Sequence, residues 1–153
     1  MKKNSSLTKL NLAGTKIGDE GTNCIVEVLK HNHTLRVLNL KNNKISAQGA
    51  KLIAEYLKTN PSLTTLDLQD NDINTEGAKI LAEALKTNYF LTTLSLDNYQ
   101  VDAITITEIN SFLERNKKLA PQKTNKTYRF FCSEKNTTPQ QPQRLSYSEC
   151  VVM

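Results

Sequence analysis

The sequence has no tryptophan, five glycines, three cysteines and no long apolar run. Each shortage excludes something. No stretch reaches 18 consecutive apolar residues, so no segment is expected to cross a membrane as a helix. The basic, polar start Met1-Lys2-Lys3-Asn4-Ser5-Ser6 is not followed by an apolar core of the secretory kind, and no signal peptide is expected. Cys24, Cys132 and Cys150 are an odd set without metal-ligand spacing, so neither a disulfide framework nor a structural zinc site is expected. A reducing compartment suits that set. The glycines form no phosphate-cradling loop. His31 and His33 are the only histidines, and neither has a cysteine or serine at a recurring position beside it. Asp67, Asp70 and Asp72 resemble part of a calcium loop, but Thr75 stands where such a loop needs glycine and Leu81 where it needs glutamate. The expectation is therefore a non-enzymatic chain with no catalytic residue, no metal and no cofactor.

What the chain does have is a repeat of 28 residues without insertion. Leu7, Leu35, Leu63 and Leu91 are in register, as are Leu10, Leu38, Leu66 and Leu94, and Leu12, Leu40, Leu68 and Leu96. Ile17, Ile45, Ile73 and Val101 follow, then Leu29, Leu57, Leu85 and Leu113. The segment Leu63-Thr64-Thr65-Leu66-Asp67-Leu68 ends in the period-two alternation of a half-buried strand. After a turn rich in Asn and Asp come Gly18, Ser46, Asn74 and Asp102, all residue types favoured as helix N-caps. Ile53, Tyr56 and Leu57 then show helical spacing. Asn32, Asn60, Asn88 and Asn116 are expected to close the helices in the left-handed conformation that Asn tolerates, with Pro61 just beyond. Cys24 aligns with Leu52 and Ile80 and is expected in the core.

This pattern resembles the leucine-rich repeats of the ribonuclease-inhibitor type, which are similar to those of NOD-like receptors, tropomodulins and Ran GTPase-activating proteins. The resemblance covers residues 5–116. It implies an α/β solenoid, a horseshoe segment with parallel strands on the concave side and helices on the convex side. Residues 1–118 are expected to form this domain and residues 119–153 a flexible basic tail. In the fourth unit Thr105 replaces Gly21, Gly49 and Gly77, Tyr99 replaces Asn43 and Asn71, and Glu108 replaces Cys24, Leu52 and Ile80. That unit is read as a polar cap. No comparable cap precedes residue 5, which leaves the first strand as an expected open edge.

In such a solenoid the residues between the strand leucines line the concave face. By register these are Lys9, Asn11 and Ala13; Val37, Asn39 and Lys41; Thr65, Asp67 and Gln69; Thr93, Ser95 and Asp97. Tyr99 joins them as an aromatic candidate at the strand-to-helix edge. The face runs from basic to acidic along the stack, with Lys16 and Lys44 in the early loops and Asp70 and Asp72 in the later ones. A protein ligand of opposite polarity would be steered onto it. Four repeats without tryptophan anchors imply modest affinity.

The net charge of +5 belongs to the tail. Residues 1–116 hold 13 Lys/Arg and 13 Asp/Glu; residues 117–153 hold seven basic residues against Glu134 and Glu149. The repeats thus present no basic stripe, and nucleic acid is not an expected partner. The tail carries Pro121, Pro139 and Pro142 and one apolar island, Tyr128-Arg129-Phe130-Phe131-Cys132, read as extra packing on the final repeat. It ends Cys150-Val151-Val152-Met153, a match to the C-a-a-X signal that protein farnesyltransferase modifies when X is Met. One lipid anchors only marginally, and Cys132 is a candidate second lipidation site. The combined expectation is a cytoplasmic, membrane-associated scaffold, farnesylated at Cys150. A bacterial effector that borrows a host prenyltransferase and sits at a host membrane fits equally. The alternative, by analogy with the families named, is a regulator of a small GTPase or of actin. A fragment of an innate-immune sensor comes last.

Overall fold

The computed structural model describes residues 6–120. Cys132, Cys150 and the island at residues 128–132 lie outside the described residues. The described chain alternates strand and helix: β1 (Lys9–Asn11), α1 (Gly18–Leu29), β2 (Val37–Asn39), α2 (Ala47–Thr59), β3 (Thr65–Asp67), α3 (Thr75–Thr87), β4 (Thr93–Ser95), a 3-10 turn (Asn98–Gln100) and α4 (Ala103–Leu119). The strands form one parallel sheet in the order β1-β2-β3-β4. Its register keeps the repeat: Leu10 lies opposite Leu38, Leu38 opposite Leu66, Leu66 opposite Leu94. The expected solenoid of parallel strands and outer helices is what forms.

The core is the set of recurring leucines. Leu35, Leu38, Leu40 and Ile45 are buried, and so are Leu63, Leu66, Leu68 and Ile73. Their counterparts Leu7, Leu10, Leu12 and Ile17 in the first repeat are only partly buried, because no repeat among the described residues precedes them. Adjacent helices pack closely because small residues face one another. A methyl added at Gly77 would lie 3.1 Å from Cα of Ala47 and 3.3 Å from Cβ of Ala50. In α4, Asn110 stands exposed where Ala54 and Ala82 are buried against a following helix, and so the last helix ends the stack with a polar flank.

Ser46, Asn74 and Asp102 cap their helices, accepting from the backbone N–H of Gln48, Gly77 and Thr105. The Thr105 N–H on its carboxylate holds Asp102 below the usual carboxylate range. Four expectations need correction. Gly18 does not cap α1; it is the helix's first residue, at φ +57°, and no side chain caps that end. Asp19 instead reaches into the next repeat and accepts from the Ser46 N–H and hydroxyl. Asn60 and Asn88 are not left-handed but extended, at φ −84° and −87°. Asn32 and Asn116 do not close their helices: α1 ends at Leu29, with Lys30 next, and α4 runs on to Leu119. Cys24 is exposed rather than in the core, because its position faces the preceding helix and α1 has none among the described residues.

Apart from Gly18, the left-handed residues lie in the turns after the strands. Gly14, Asn42 and Asp70 occupy one register and Lys16 and Lys44 another, all with φ between 55° and 70°. Gly, Asn and Asp adopt this conformation at low cost, whereas a lysine is held there against its preference. Lys44→Gly is therefore expected to stabilise the domain by about 0.5–1 kcal/mol, the relief of strain exceeding glycine's extra chain entropy. A urea melt in which the midpoint falls would contradict this reading of the Lys44 backbone.

Tyr56 is the largest fully buried side chain, at 2% exposure, and its hydroxyl has no hydrogen-bond partner among the described residues. Burial pushes its pKa up from the ordinary value near 10. The folded-state pKa lies above that of the unfolded chain, so stability is fully present below pH 10 and is lost as pH rises beyond it. The loss approaches about 1.4 kcal/mol per pH unit. Tyr56→Phe is expected to abolish this alkaline dependence and to be at least as stable as the parent at pH 7. Paired urea melts at neutral and alkaline pH read both effects.

Candidate protein-binding face

The sheet's open face is built in rows. The register of the three strand pairs sets Lys9, Val37, Thr65 and Thr93 side by side in one row, and Asn11, Asn39, Asp67 and Ser95 in a second. Neighbouring strands lie about 4.8 Å apart, so each row spans roughly 14 Å. Lys9 and Thr93 are exposed at the ends of the first row; Val37 and Thr65 are half-buried in the middle. Among the described residues none of these four side chains is held in a hydrogen bond or ion pair.

The second row is partly committed to its own backbone. The Oδ1 atoms of Asn11, Asn39 and Asp67 accept from the N–H two residues on, at Ala13, Lys41 and Gln69, over 3.1, 2.9 and 3.1 Å. These short loops turn the chain out of each strand. What the row still offers outward is the amide nitrogen of Asn11 and Asn39 and the second carboxylate oxygen of Asp67. Beyond it, Lys41 Nζ pairs with Asp70 Oδ2 at 3.2 Å, and Asp97 Oδ2 accepts from the Asp70 N–H at 2.7 Å. Asp70 thus fixes two residues of the face, a role its place in a turn did not suggest. The signal was there: it shares the left-handed register with Gly14 and Asn42. Tyr99 stands at the rim in the 3-10 turn, 79% exposed, with its hydroxyl accepting from Gln100 Nε2 at 3.1 Å.

Two ladders of buried asparagines hold these rows in place. On the strand-to-helix side, Asn71 Oδ1 accepts from the N–H of Asn43 and of Ile45, both at 3.0 Å, while its Nδ2 donates to the carbonyls of Leu40 and Leu68. Asn43 repeats the pattern one repeat earlier, its Nδ2 on the Leu12 carbonyl and its Oδ1 receiving the Thr15 hydroxyl. On the helix-to-strand side, Asn32, Asn60 and Asn88 accept from the N–H groups of Leu35, Leu63 and Leu91. Asn88 and Asn116 also donate to carbonyls one repeat back. Each buried amide satisfies backbone groups that a turn leaves without partners.

Arg115 closes the second ladder. Its Nη2 donates to the carbonyls of Leu85 and Asn88 at 2.7 and 2.9 Å and its Nε to Asn116 Oδ1 at 3.1 Å. The guanidinium lies 4.3 Å from the ring centre of Tyr89 and 5.1 Å from that of Phe112. It caps the C-terminal end of α3, where free carbonyls and the helix dipole favour a cation.

Among the described residues no group of His, Cys, Asp and Glu is arranged to hold a metal ion, and no helix is long and apolar enough to cross a membrane. Residues 3–26, 31–54 and 59–82 each match the family described as Leucine Rich repeat. No curated protein matches the sequence. Among solved structures, the chain is similar to "Leiomodin-1 Actin-Binding Site 2 (ABS2)", with 22% identity and a TM-score of 0.61 over 83% of this chain and 90% of that one. It is similar also to the tropomodulin C-terminal domain from Caenorhabditis elegans, with 16% identity and a TM-score of 0.56 over 80% of this chain and 92% of that one. Such identities establish the fold: four strand–helix units, three of them matched as leucine-rich repeats.

Proposed function

We propose that this leucine-rich-repeat module binds a protein across the rows of its sheet, and that an actin subunit is the first ligand to test. The observation that carries the reading is the row Lys9, Val37, Thr65 and Thr93, whose side chains are held on a fixed sheet and left uncommitted. A surface prepared in this way loses little side-chain order elsewhere when a partner covers it. Actin is named because the leiomodin structure of similar fold is itself an actin-binding site. Binding of the purified chain to labelled monomeric actin, followed by anisotropy, tests both parts. Saturable binding weakened at least about tenfold by Val37→Glu and by Thr65→Arg supports the sheet face. Binding indifferent to both changes sinks the face; no binding at all sinks actin as ligand.

A second reading concerns the tail. The residues Cys150-Val151-Val152-Met153 fit a farnesylation signal wherever Met153 is the free C-terminus of the chain. A lipid at Cys150 would hold the repeat domain beside a membrane, with the surplus of basic residues after residue 116 adding attraction to anionic lipid. Intact mass of the chain from eukaryotic cells, beside a Cys150→Ser control, decides it. A farnesyl gain with loss of the last three residues supports the anchor, and an unmodified mass removes it.

A further inference from the structure

The turns that lead from strand to helix border the sheet's open face, and their charges are sorted along the stack. Turns 13–16 and 41–44 hold Lys16, Lys41 and Lys44 and no carboxylate; turns 69–72 and 97–100 hold Asp70, Asp72 and Asp97 and no cation. Lys41 and Asp70 cancel one another across the boundary, at 3.2 Å. That leaves Lys16 and Lys44 beside the first two strands and Asp72 and Asp97 beside the last two.

The two lysines stand where they are at a cost to the fold. Both are exposed, and both are left-handed, at φ 57° and 58°. Glycine, asparagine or aspartate holds that backbone more cheaply, and the neighbouring register uses one of each, at Gly14, Asn42 and Asp70. Lys16 and Lys44 are one repeat apart, so their backbones lie near the strand spacing of about 4.8 Å, like charge beside like charge. Neither ammonium has a hydrogen bond or ion pair among the described residues. Asp19, the carboxylate closest to Lys16 in sequence, is turned to Ser46 instead. A lysine pair that strains its turns, repels itself and bonds to nothing in its own domain adds no stability there. Strain of this kind clusters where ligands are met.

We propose that Lys16 and Lys44 receive an acidic segment of the protein that covers the sheet, so that the rim fixes which way round the partner lies. This rests on the sheet-face reading above and deepens it. Carboxylates of the partner pair with the two ammonium groups. Turned end for end, the same partner sets those carboxylates against Asp72 and Asp97, which reject them. Complementary charge of this kind speeds encounter and suppresses the wrong orientation more than it adds affinity.

A nuclear magnetic resonance titration of the isotope-labelled full chain with hexaglutamate, at low ionic strength and read amide by amide, tests this. Saturable shifts at residues 13–18 and 41–46 are expected, with a dissociation constant raised about tenfold when Lys16→Gly and Lys44→Gly are combined. The same two changes are expected to raise the urea midpoint, because glycine relieves both turns. Binding lost while stability is gained is a pattern that a structural role for the lysines does not produce. Lys51→Gln, which removes an exposed charge from α2, leaves the constant within about twofold. Shifts confined to residues after 116 overturn the proposal. So does a constant that the glycine pair leaves unchanged, or that Lys51→Gln alters as much. The sheet reading is decided separately, by actin and Val37→Glu: the rim falls alone if hexaglutamate ignores the lysines while Val37→Glu weakens actin binding, and actin falls alone if only hexaglutamate binds.

Discussion

Replacing Asn71 with alanine is expected to destabilise the repeat domain by about 4 kcal/mol. The amide is buried at the centre of the stack and serves four buried backbone groups in two repeats: it accepts from Asn43 N–H and Ile45 N–H and donates to the carbonyls of Leu40 and Leu68. Alanine leaves all four without their partner. A buried donor or acceptor left unmatched costs about 1–3 kcal/mol, and a water entering the vacated space recovers part of that. For a domain whose total stability is about 5–15 kcal/mol this is a large fraction. Urea unfolding followed at 222 nm measures it. The sharper test is a ranking. Asn43→Ala should cost clearly less, because its contacts to the Thr15 hydroxyl and Ile17 N–H lie nearer the solvent and the latter is long, 3.4 Å. Both side chains are buried, so equal losses at the two positions would show that the exposure of the groups they bond does not set the cost.

Arg115→Ala is expected to cost about 2–3 kcal/mol and to loosen the last repeat first. Two short bonds from the guanidinium to the carbonyls of Leu85 and Asn88 are charge-assisted, and stacking on Tyr89 and Phe112 adds to them. Hydrogen bonds to a charged group contribute about 1.5–3 kcal/mol each before the partial exposure of this site reduces them, and the ring contacts about 0.5–1 kcal/mol. Lysine should restore less than half of the loss, because a single ammonium cannot span the carbonyls and the Asn116 side chain together. Amide hydrogen exchange reads the location. Faster exchange in α4 and at the end of α3, with α1 and β2 unchanged, is the expected pattern. Uniform acceleration along the chain would mean that the four repeats open as one unit.

Much of this architecture could be read from spacing alone. The 28-residue register named the strand leucines, and parallel pairing puts Leu10, Leu38, Leu66 and Leu94 opposite one another. Ser46, Asn74 and Asp102 declared themselves as caps because an N-cap is a local device, a side chain bonding to the backbone two or three residues on. What escaped the sequence depends on a neighbouring repeat. Asn88 was expected to stop a helix by its own backbone conformation, yet its Nδ2 lies on the Leu57 carbonyl, 31 residues away. Cys24 shares a register with Leu52 and Ile80 but lacks the neighbouring helix that partly covers them. Arg115 resembled any charged residue late in a helix, and only the end of α3 gives it a role. The face itself was legible as a set of positions. That Asn11, Asn39 and Asp67 are half-committed to their own loops was not, since an Asx turn and an outward-facing amide look alike in sequence.

The close approach of Gly77 to Ala47 and Ala50 also governs how steeply the stack bends. Strands repeat every 4.8 Å or so, whereas packed helices need about 8–10 Å, and the difference between the two layers sets the angle turned per repeat. With layers about 10 Å apart, each extra ångström between helices adds roughly 6°. Small residues at the helix contact keep that difference smaller than bulky ones would, and so a large residue at Gly77 would part α2 from α3 and steepen the bend of the sheet at that one step.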